Sequence, residues 1–515
     1  MFTSLLFATA TPPIASDPQA AIWQDLHLGQ LFTSVCADRG GNEPALLPYC
    51  YQPLTTGALV KLRQQIFRDL TQPEILQAVD RFVGRMQLMA RRREKLPHLD
   101  PEPYQQEQFL RLVQTEQQAL RDFVTQLAQL PIQSAGLLTF RQELQAYLAA
   151  AATQTLQTDI DHLGQTLTKI SYRSEFQGRH VLIKAQPAPA PTFAATFTAC
   201  FQGLFADPTA IAAPVAKLDR PGSDFDLDNL QSSILLRLQH LYRTEFQELA
   251  TFAQRYQGYL VPGLAQAVQE LQFYLVWAKM IQRLTQAGLR FCRPQIITSG
   301  TELVQGSFDW DLAVHLQHLG HLERLVTNDY RLPADQSFLV ISGPNQGGKT
   351  TYARMVGEDY YLMALGLPIP GTAASLKLKP VVLTHFERAE QANKISGLLA
   401  TDVERMHGII AETTADSFVI MNELFSSTTA ADGQRLADKV LDLLQARHAS
   451  GIYITFLTAL GDHAGVVPMM SQVAQGTTTR TYQVLPQALD GQSYATTLLQ
   501  AYHLRAVDLE GRLSQ

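Results

Sequence analysis

Phe338-Leu339-Val340-Ile341-Ser342-Gly343-Pro344-Asn345-Gln346-Gly347-Gly348-Lys349-Thr350-Thr351 is the stretch that decides the fold of the C-terminal half of this chain. Four apolar residues run into the spacing G-x-x-x-x-G-K-T, which reads as a strand, a phosphate-holding loop and a helix. Each part has a physical reason. A buried parallel strand anchors the loop, and glycines let backbone N–H groups close around phosphate oxygens. The following helix turns its positive N-terminal end toward the same oxygens. Lys349 is placed to reach the β- and γ-phosphates of a nucleotide, and the Thr350 hydroxyl to ligate magnesium. The candidate nucleotide-binding residues are therefore Gly343, Pro344, Asn345, Gln346, Gly347, Gly348, Lys349, Thr350 and Thr351.

Outward from the loop, the sequence beyond about residue 290 alternates short apolar runs with helical patterns. That is the texture of a parallel sheet covered by helices. Candidate strands are 338–341, 381–384, 418–421, 452–455 and 479–484. Phe418-Val419-Ile420-Met421 is followed by Asn422-Glu423, polar residues at the C-terminal end of a buried strand, where open α/β sheets place ligands. Phosphate binding needs only the loop; hydrolysis also needs magnesium ligands and a group to orient water. Glu423 is the candidate catalytic residue for orienting or deprotonating that water, together with Lys349. Thr350 and Asn422 are the candidate metal-site residues. An amide at 422 accepts a hydrogen bond from magnesium-bound water but brings no negative charge, which weakens metal binding.

GPNQGGKTT and FVIMNELFSSTTAADG resemble the ATPase domain of the MutS family of DNA mismatch-repair proteins. Members of that family carry close relatives of GPN-x-GGK-[ST]-T and DE-x-GRGTS-x-x-DG. Gly343, Pro344, Asn345, Gly347, Gly348, Lys349 and Thr350 match the first motif; Glu423 matches the catalytic glutamate, and Thr428, Asp432 and Gly433 match the end of the second. Val326-Thr327-Asn328-Asp329 resembles the family's approach to this domain, and Ser493-Tyr494 a motif near its end. Four departures stand out. Asn422 replaces an Asp, and Phe425-Ser426-Ser427 replaces GRG. Residues 396–406 only loosely match the SGxSTFxxEM stretch that helps complete a neighbouring subunit's site. The ATH switch after the next strand reads Leu457-Thr458-Ala459, without its histidine. Slow or altered hydrolysis is the implied consequence. The resemblance further implies ATP and Mg2+ as cofactors, a homodimer with composite sites, and DNA as a partner recognised through shape or backbone.

Upstream the pattern is helical. Thr55, Leu59, Leu62, Ile66 and Leu70 share one face, and Ile75, Val79, Phe82, Val83 and Met86 the next. That second helix ends in Arg91-Arg92-Arg93-Glu94-Lys95, the most basic cluster, read as a solvated helix end with nucleic-acid phosphate contact as the alternative. Further helices follow at Phe109 to Leu127 and at Leu144 to Ile170; His180-Val181-Leu182-Ile183-Lys184 reads as a strand, and 186–191 as a proline-rich linker. Two long helical patterns, from Leu227 to Tyr256 and from Leu264 to Ala278, complete the region. Phe246-Gln247-Glu248 has the form of a mismatch-reading wedge, but its helical position makes Phe246 and Leu249 core residues, and no reading domain is evident upstream.

The expected fold class is thus α + α/β: a lead-in over residues 1–54, a mostly helical core and lever region over 55–289, and a P-loop NTPase domain of the ABC-like class over 290–515. The chain has 515 residues, 46% hydrophobic and 17% charged, with a net charge of −6, which excludes indiscriminate nucleic-acid coating while leaving room for a local basic patch. Cys36, Cys50, Cys200 and Cys292 show no metal spacing and read as reduced thiols. No secretory signal is expected at the N-terminus, and no stretch approaches the roughly twenty apolar residues of a membrane span. A cytoplasmic protein is expected. Two functions remain: an ATPase coupling nucleotide state to DNA through helical levers, and a nucleotide-gated protein-interaction module with little or no DNA binding. An SMC- or ABC-like protein would carry an LSGGQ-type segment, which is not found.

Overall fold

The apolar run at 338–341 lies inside a six-stranded sheet. The structure, a computed structural model, describes residues 2–9, 20–37, 43–178, 180–186, 227–386, 397–474 and 479–489. In chain order it forms helices α1 (Ala20–Asp25), α2 (Leu28–Ala37), α3 (Glu43–Cys50), α4 (Gly57–Leu70), α5 (Pro73–Lys95), α6 (Glu102–Gln129), α7 (Ala135–Ala149) and α8 (Ala151–Thr168). Strands β1 (Tyr172–Gln177) and β2 (His180–Ala185) precede α9 (Asn229–Leu241), α10 (Arg243–Arg255) and α11 (Leu264–Gln286). Then come β3 (Phe291–Cys292), β4 (Gln295–Ile297), β5 (Glu302–Ser307), α12 (Trp310–Leu319), β6 (Asn328–Leu332), β7 (Phe338–Ser342), α13 (Lys349–Ala364), β8 (Ile369–Pro370), β9 (Ala373–Lys377) and β10 (Val381–His385). The chain continues through α14 (Leu398–Glu412), β11 (Ser417–Asn422), α15 (Ala430–Ala446), β12 (Ser450–Ile454), β13 (Val466–Val473) and β14 (Arg480–Pro486). Mixed helix and sheet with parallel strands is the α + α/β composition expected. Contacts divide the chain into a unit of residues 1–76, 132–138 and 269–515 and a unit of residues 77–131 and 139–268.

In the first unit the six strands run in the order β10-β11-β12-β7-β13-β14, parallel except for β14. Parallel sheets are buried on both faces, which is why β7 and β12 are solid apolar or small-residue runs without alternation. All five expected strands are present. β13 was not expected: Pro468 interrupts its apolar run, and a proline normally argues against an interior strand. Leu383, Val419, Met421, Leu441, Leu444 and Tyr453 are among the residues that build the core between this sheet and α14 and α15. A smaller sheet, β4-β9-β5-β6, lies in the same unit.

The N-terminal residues belong to this unit as well. Thr384 at the end of β10 donates to Asp25 Oδ2 at 2.8 Å, and Glu270 accepts from the Ser4 hydroxyl at 2.7 Å and the Leu5 N–H at 2.6 Å. On α4 the inward face differs from the expected one: Thr55 is exposed and outside the helix, whereas Arg63 and Asp69 are buried. Their placement is stabilised by hydrogen bonds that only the folded chain supplies. Arg63 donates to the Leu6 and Leu365 carbonyls at 3.0 and 2.7 Å, and Asp69 accepts from the Ser134 N–H at 2.8 Å. Burial pushes the Arg63 guanidinium down to about 10.

Among its described residues the second unit is helical with one hairpin. Leu110 and Val113 of α6, Leu156 and Ile160 of α8, and Leu249 and Phe252 of α10 share a core, and the rings of Phe82 and Phe123 stack at 4.0 Å. Phe246 and Leu249 are buried there, as core residues should be. The long pattern from Leu227 is two helices, because Tyr242 leaves the helical region at φ −116°, ψ 53° and its hydroxyl donates to the Ser171 carbonyl. Likewise Ala150, at ψ 140°, separates α7 from α8. Arg93 in the basic cluster is not simply solvated, since it donates to the Glu116 carboxylate and to the Tyr259 carbonyl at 2.7 Å. Residues 187–191 of the proline-rich stretch, Cys200 and Ser493-Tyr494 lie outside the described residues.

Candidate functional site

The glycine loop leaves the C-terminal end of β7 and enters α13 at Lys349. Gly343 has φ 127°, and a Cβ there would stand 2.3 Å from Ser471 Oγ; at Gly347 it would stand 2.6 Å from the same oxygen. Glycine at these two positions is demanded by β13 passing directly alongside. The Gly347 N–H donates to the Pro344 carbonyl at 3.1 Å, closing the turn, and Arg480 Nε on β14 donates to the Asn345 carbonyl at 2.8 Å.

Lys349 is buried. Its Nζ donates to the carbonyls of Gly343 at 2.9 Å and Pro344 at 3.0 Å and lies 4.7 Å from the centroid of the Phe456 ring. Burial lowers its pKa, and the charge of Glu423 opposes that shift. Thr350 and Thr351 occupy the first turn of α13, both half-buried. The Asn422↔Ile454 and Ile454↔Ile341 pairings align the C-terminal ends of β11, β12 and β7, so one strand separates the glycine loop from Asn422 and Glu423. Asn422 Oδ1 is shut off from solvent and has no hydrogen-bond partner. Glu423 turns out of the strand at φ 55°, with its N–H on the Ile454 carbonyl at 2.9 Å.

Other expected residues have different neighbours. Thr428 lies against Gly433, whereas Asp432 accepts from the Thr429 hydroxyl at 3.0 Å and helps cap α15. Asn328 of the approach segment clasps β14: it donates to the Tyr482 carbonyl at 3.1 Å and accepts from the Val484 N–H at 2.8 Å. That clasp holds Tyr482, exposed and at φ 59°, against Gly348. Of the loosely matching stretch 396–406, residue 396 lies outside the described residues, and 397 onward opens α14.

Tyr482 and Phe456 were not anticipated at this site, and neither was His385, buried at the end of β10 with Nε2 3.3 Å from Asp402 Oδ1. A single tyrosine, phenylalanine or histidine in an ordinary run carries no local signal. Among the described residues no group of three or more His, Cys, Asp or Glu is placed to hold a metal ion, and no helix is long and apolar enough to cross a membrane.

Residues 339–499 match the family model MutS domain V. That stretch, about a third of the chain, is where its similarity to MutS proteins lies. Its domain V region is similar to the DNA mismatch repair protein MutS 1 of Halobacterium salinarum, at 29% identity over 184 residues, covering 32% of this chain and 21% of that protein. Similarity to the endonuclease MutS2 of Thermotoga petrophila runs at 28% over 168 residues, covering 32% and 22%. The DNA mismatch repair protein MutS of Shouchella clausii is 26% identical over 184 residues, covering 32% and 21%. These matches span about a fifth of the length of the curated relatives. Both sequence motifs, the glycine loop and Asn422-Glu423, fall inside the MutS domain V match.

Proposed function

We propose that the MutS domain V of this chain binds and hydrolyses ATP with Mg2+, and that nucleotide state governs DNA binding through the helical region. The observation that supports this reading most is the meeting of the two motifs. Lys349, in contact with its own glycine loop, feels the charge of Glu423 across an aligned set of parallel strand ends. Gly343 to Thr351 form the cradle for the phosphates, Lys349 neutralises charge on them, and Glu423 orients or deprotonates the attacking water. The nucleotide-handling part lies within 290–515 and the helical core and lever part within 55–289, in a cytoplasmic protein that works as a homodimer.

Magnesium fits the residues present in one way only. A resident ion held wholly by protein has no cluster to hold it among the described residues, whereas Mg2+ arriving on nucleotide phosphates needs only one or two protein oxygens. Thr350 Oγ1 and the unpartnered Asn422 Oδ1 are those oxygens. The ion would neutralise charge developing on the phosphates; holding it with a neutral amide makes the site weaker than one with a carboxylate.

A nucleotide-gated protein-interaction module with little or no DNA binding is the second reading, favoured by Asn422 and by the net charge of −6. Steady-state ATP hydrolysis by the full chain, with and without duplex, branched and single-stranded DNA at two salt concentrations, separates them. Stimulation by one DNA form, weakened by salt and absent in Lys349→Ala, is the expected result. Indifference to every DNA form, with nucleotide binding retained, would establish the interaction module instead.

A further inference from the structure

The ammonium of Lys349 has three N–H donors. Two are taken by the Gly343 and Pro344 carbonyls, and the face of Phe456 lies 4.7 Å from the nitrogen, inside the range of about 6 Å at which a ring attracts a cation. Phe456 is not there to fill the core, since 51% of its surface is exposed. Its position is nonetheless well determined. The Thr455 N–H donates to the Ile341 carbonyl at 3.0 Å, so the residue before the ring is tied to the strand that carries the glycine loop. The Leu457 N–H donates to Thr455 Oγ1 at 3.0 Å on the other side. An exposed aromatic ring, preceded by a residue tied to the loop's own strand, followed by one tied back to Thr455, and directed at the loop's lysine, calls for a reason other than packing.

We propose that Phe456 is a positioning residue for Lys349, whose ring holds the ammonium against the loop carbonyls, so that an incoming phosphate must compete with the ring for the same charge. The ring attracts Lys349 only while the amine is protonated, and it offers no hydrogen bond that could follow the lysine onto a phosphate. Phosphate oxygens are stronger partners for an ammonium than a ring face, so binding draws Lys349 away. Phe456 thereby sets how much of the phosphate's attraction is spent on releasing the lysine. The competition with phosphate rests on the nucleotide-binding reading above; the hold on Lys349 does not.

The test uses the full chain and three variants: Phe456→Leu, which keeps an apolar side chain without a π face, Phe456→Tyr, which keeps the face, and Lys349→Ala. Trace acetylation with acetic anhydride in the absence of nucleotide, read by peptide mass spectrometry with the Lys439 peptide as internal reference, reports the hold on Lys349 directly. Phe456→Leu is expected to raise Lys349 labelling about fivefold or more, and Phe456→Tyr to leave it within about twofold. Binding of a fluorescent ATP analogue with Mg2+ reports the competition: Phe456→Leu should tighten it about three- to tenfold and Phe456→Tyr should not. Unchanged Lys349 labelling in Phe456→Leu overturns the hold, and weaker analogue binding in that variant overturns the competition. Analogue binding by Lys349→Ala equal to that of the unmodified chain removes the nucleotide reading instead, while the labelling experiment still decides whether the ring holds the lysine.

Discussion

The loop after β7 and the segment after β11 end neighbouring parts of one sheet yet differ in where they use glycine. The first places glycine wherever a Cβ would meet Ser471, at Gly343 and Gly347, and again in the left-handed region at Gly348. The second puts side chains where glycine would be easiest: Glu423 has φ 55° and Phe425 has φ 62°. Each such residue costs about 1–2 kcal/mol. The two segments have different tasks. Close backbone approach matters in the first at Gly343 and Gly347, where a Cβ would meet Ser471, whereas Gln346 between them keeps a side chain at φ 59°. In the second, Glu423 brings a carboxylate and Phe425 fills the core beside Leu424 and Leu441, contributions that offset the strain.

That contrast can be broken at several points. The largest effect is expected from Glu423→Ala, which should retain ATP binding while hydrolysis falls roughly a thousandfold; unchanged single-turnover rates would remove Glu423 from the chemistry. Phe425→Ala should destabilise the chain by about 3–5 kcal/mol in urea unfolding. Because φ at 425 is positive, Phe425→Gly should be less harmful than the alanine variant by about 1 kcal/mol, reversing the usual order of the two. If alanine proves the milder change, strain at 425 is not part of the comparison. Lys349→Ala should weaken Mg·ATP binding about a hundredfold in calorimetry, the loss expected for two charge-assisted hydrogen bonds. The smallest effect concerns the glycine side. Gly347→Ala should lower stability by about 1–3 kcal/mol, and adding Ser471→Ala should restore roughly 1 kcal/mol, since the Ser471 hydroxyl has no partner to lose. Additive behaviour of the pair would show that β13 is not what enforces glycine there.

How much could be read in advance follows the same division. Glycine spacing and an apolar run announce a strand, a loop and a helix because those signals are local, and 338–364 needed nothing else. Asn422 and Glu423 were legible for a similar reason, as polar residues ending a buried strand. Helix existence was readable in 73–95 and 264–286, but the break at Tyr242 was not, and the partner of the Tyr242 hydroxyl there is Ser171, 71 residues away. Arg63 illustrates the same limit. Spacing alone puts an arginine on a solvated face; the carbonyls of Leu6 and Leu365 and the rings of Phe7 and Phe273, all distant in sequence, make its burial tolerable.

Local sequence therefore determined the strand, the glycine loop, the helix after it and the second motif, because each is specified by residues adjacent in the chain. Tertiary structure alone decided that β13 lies beside β7 and presses Ser471 on the loop, that Phe456 faces Lys349, and that Asn328 holds Tyr482 against Gly348. The physical reason is that these partners are separated by more than a hundred residues. They meet only when strand order is settled, and strand order follows from how the whole apolar surface is buried rather than from any one segment's pattern.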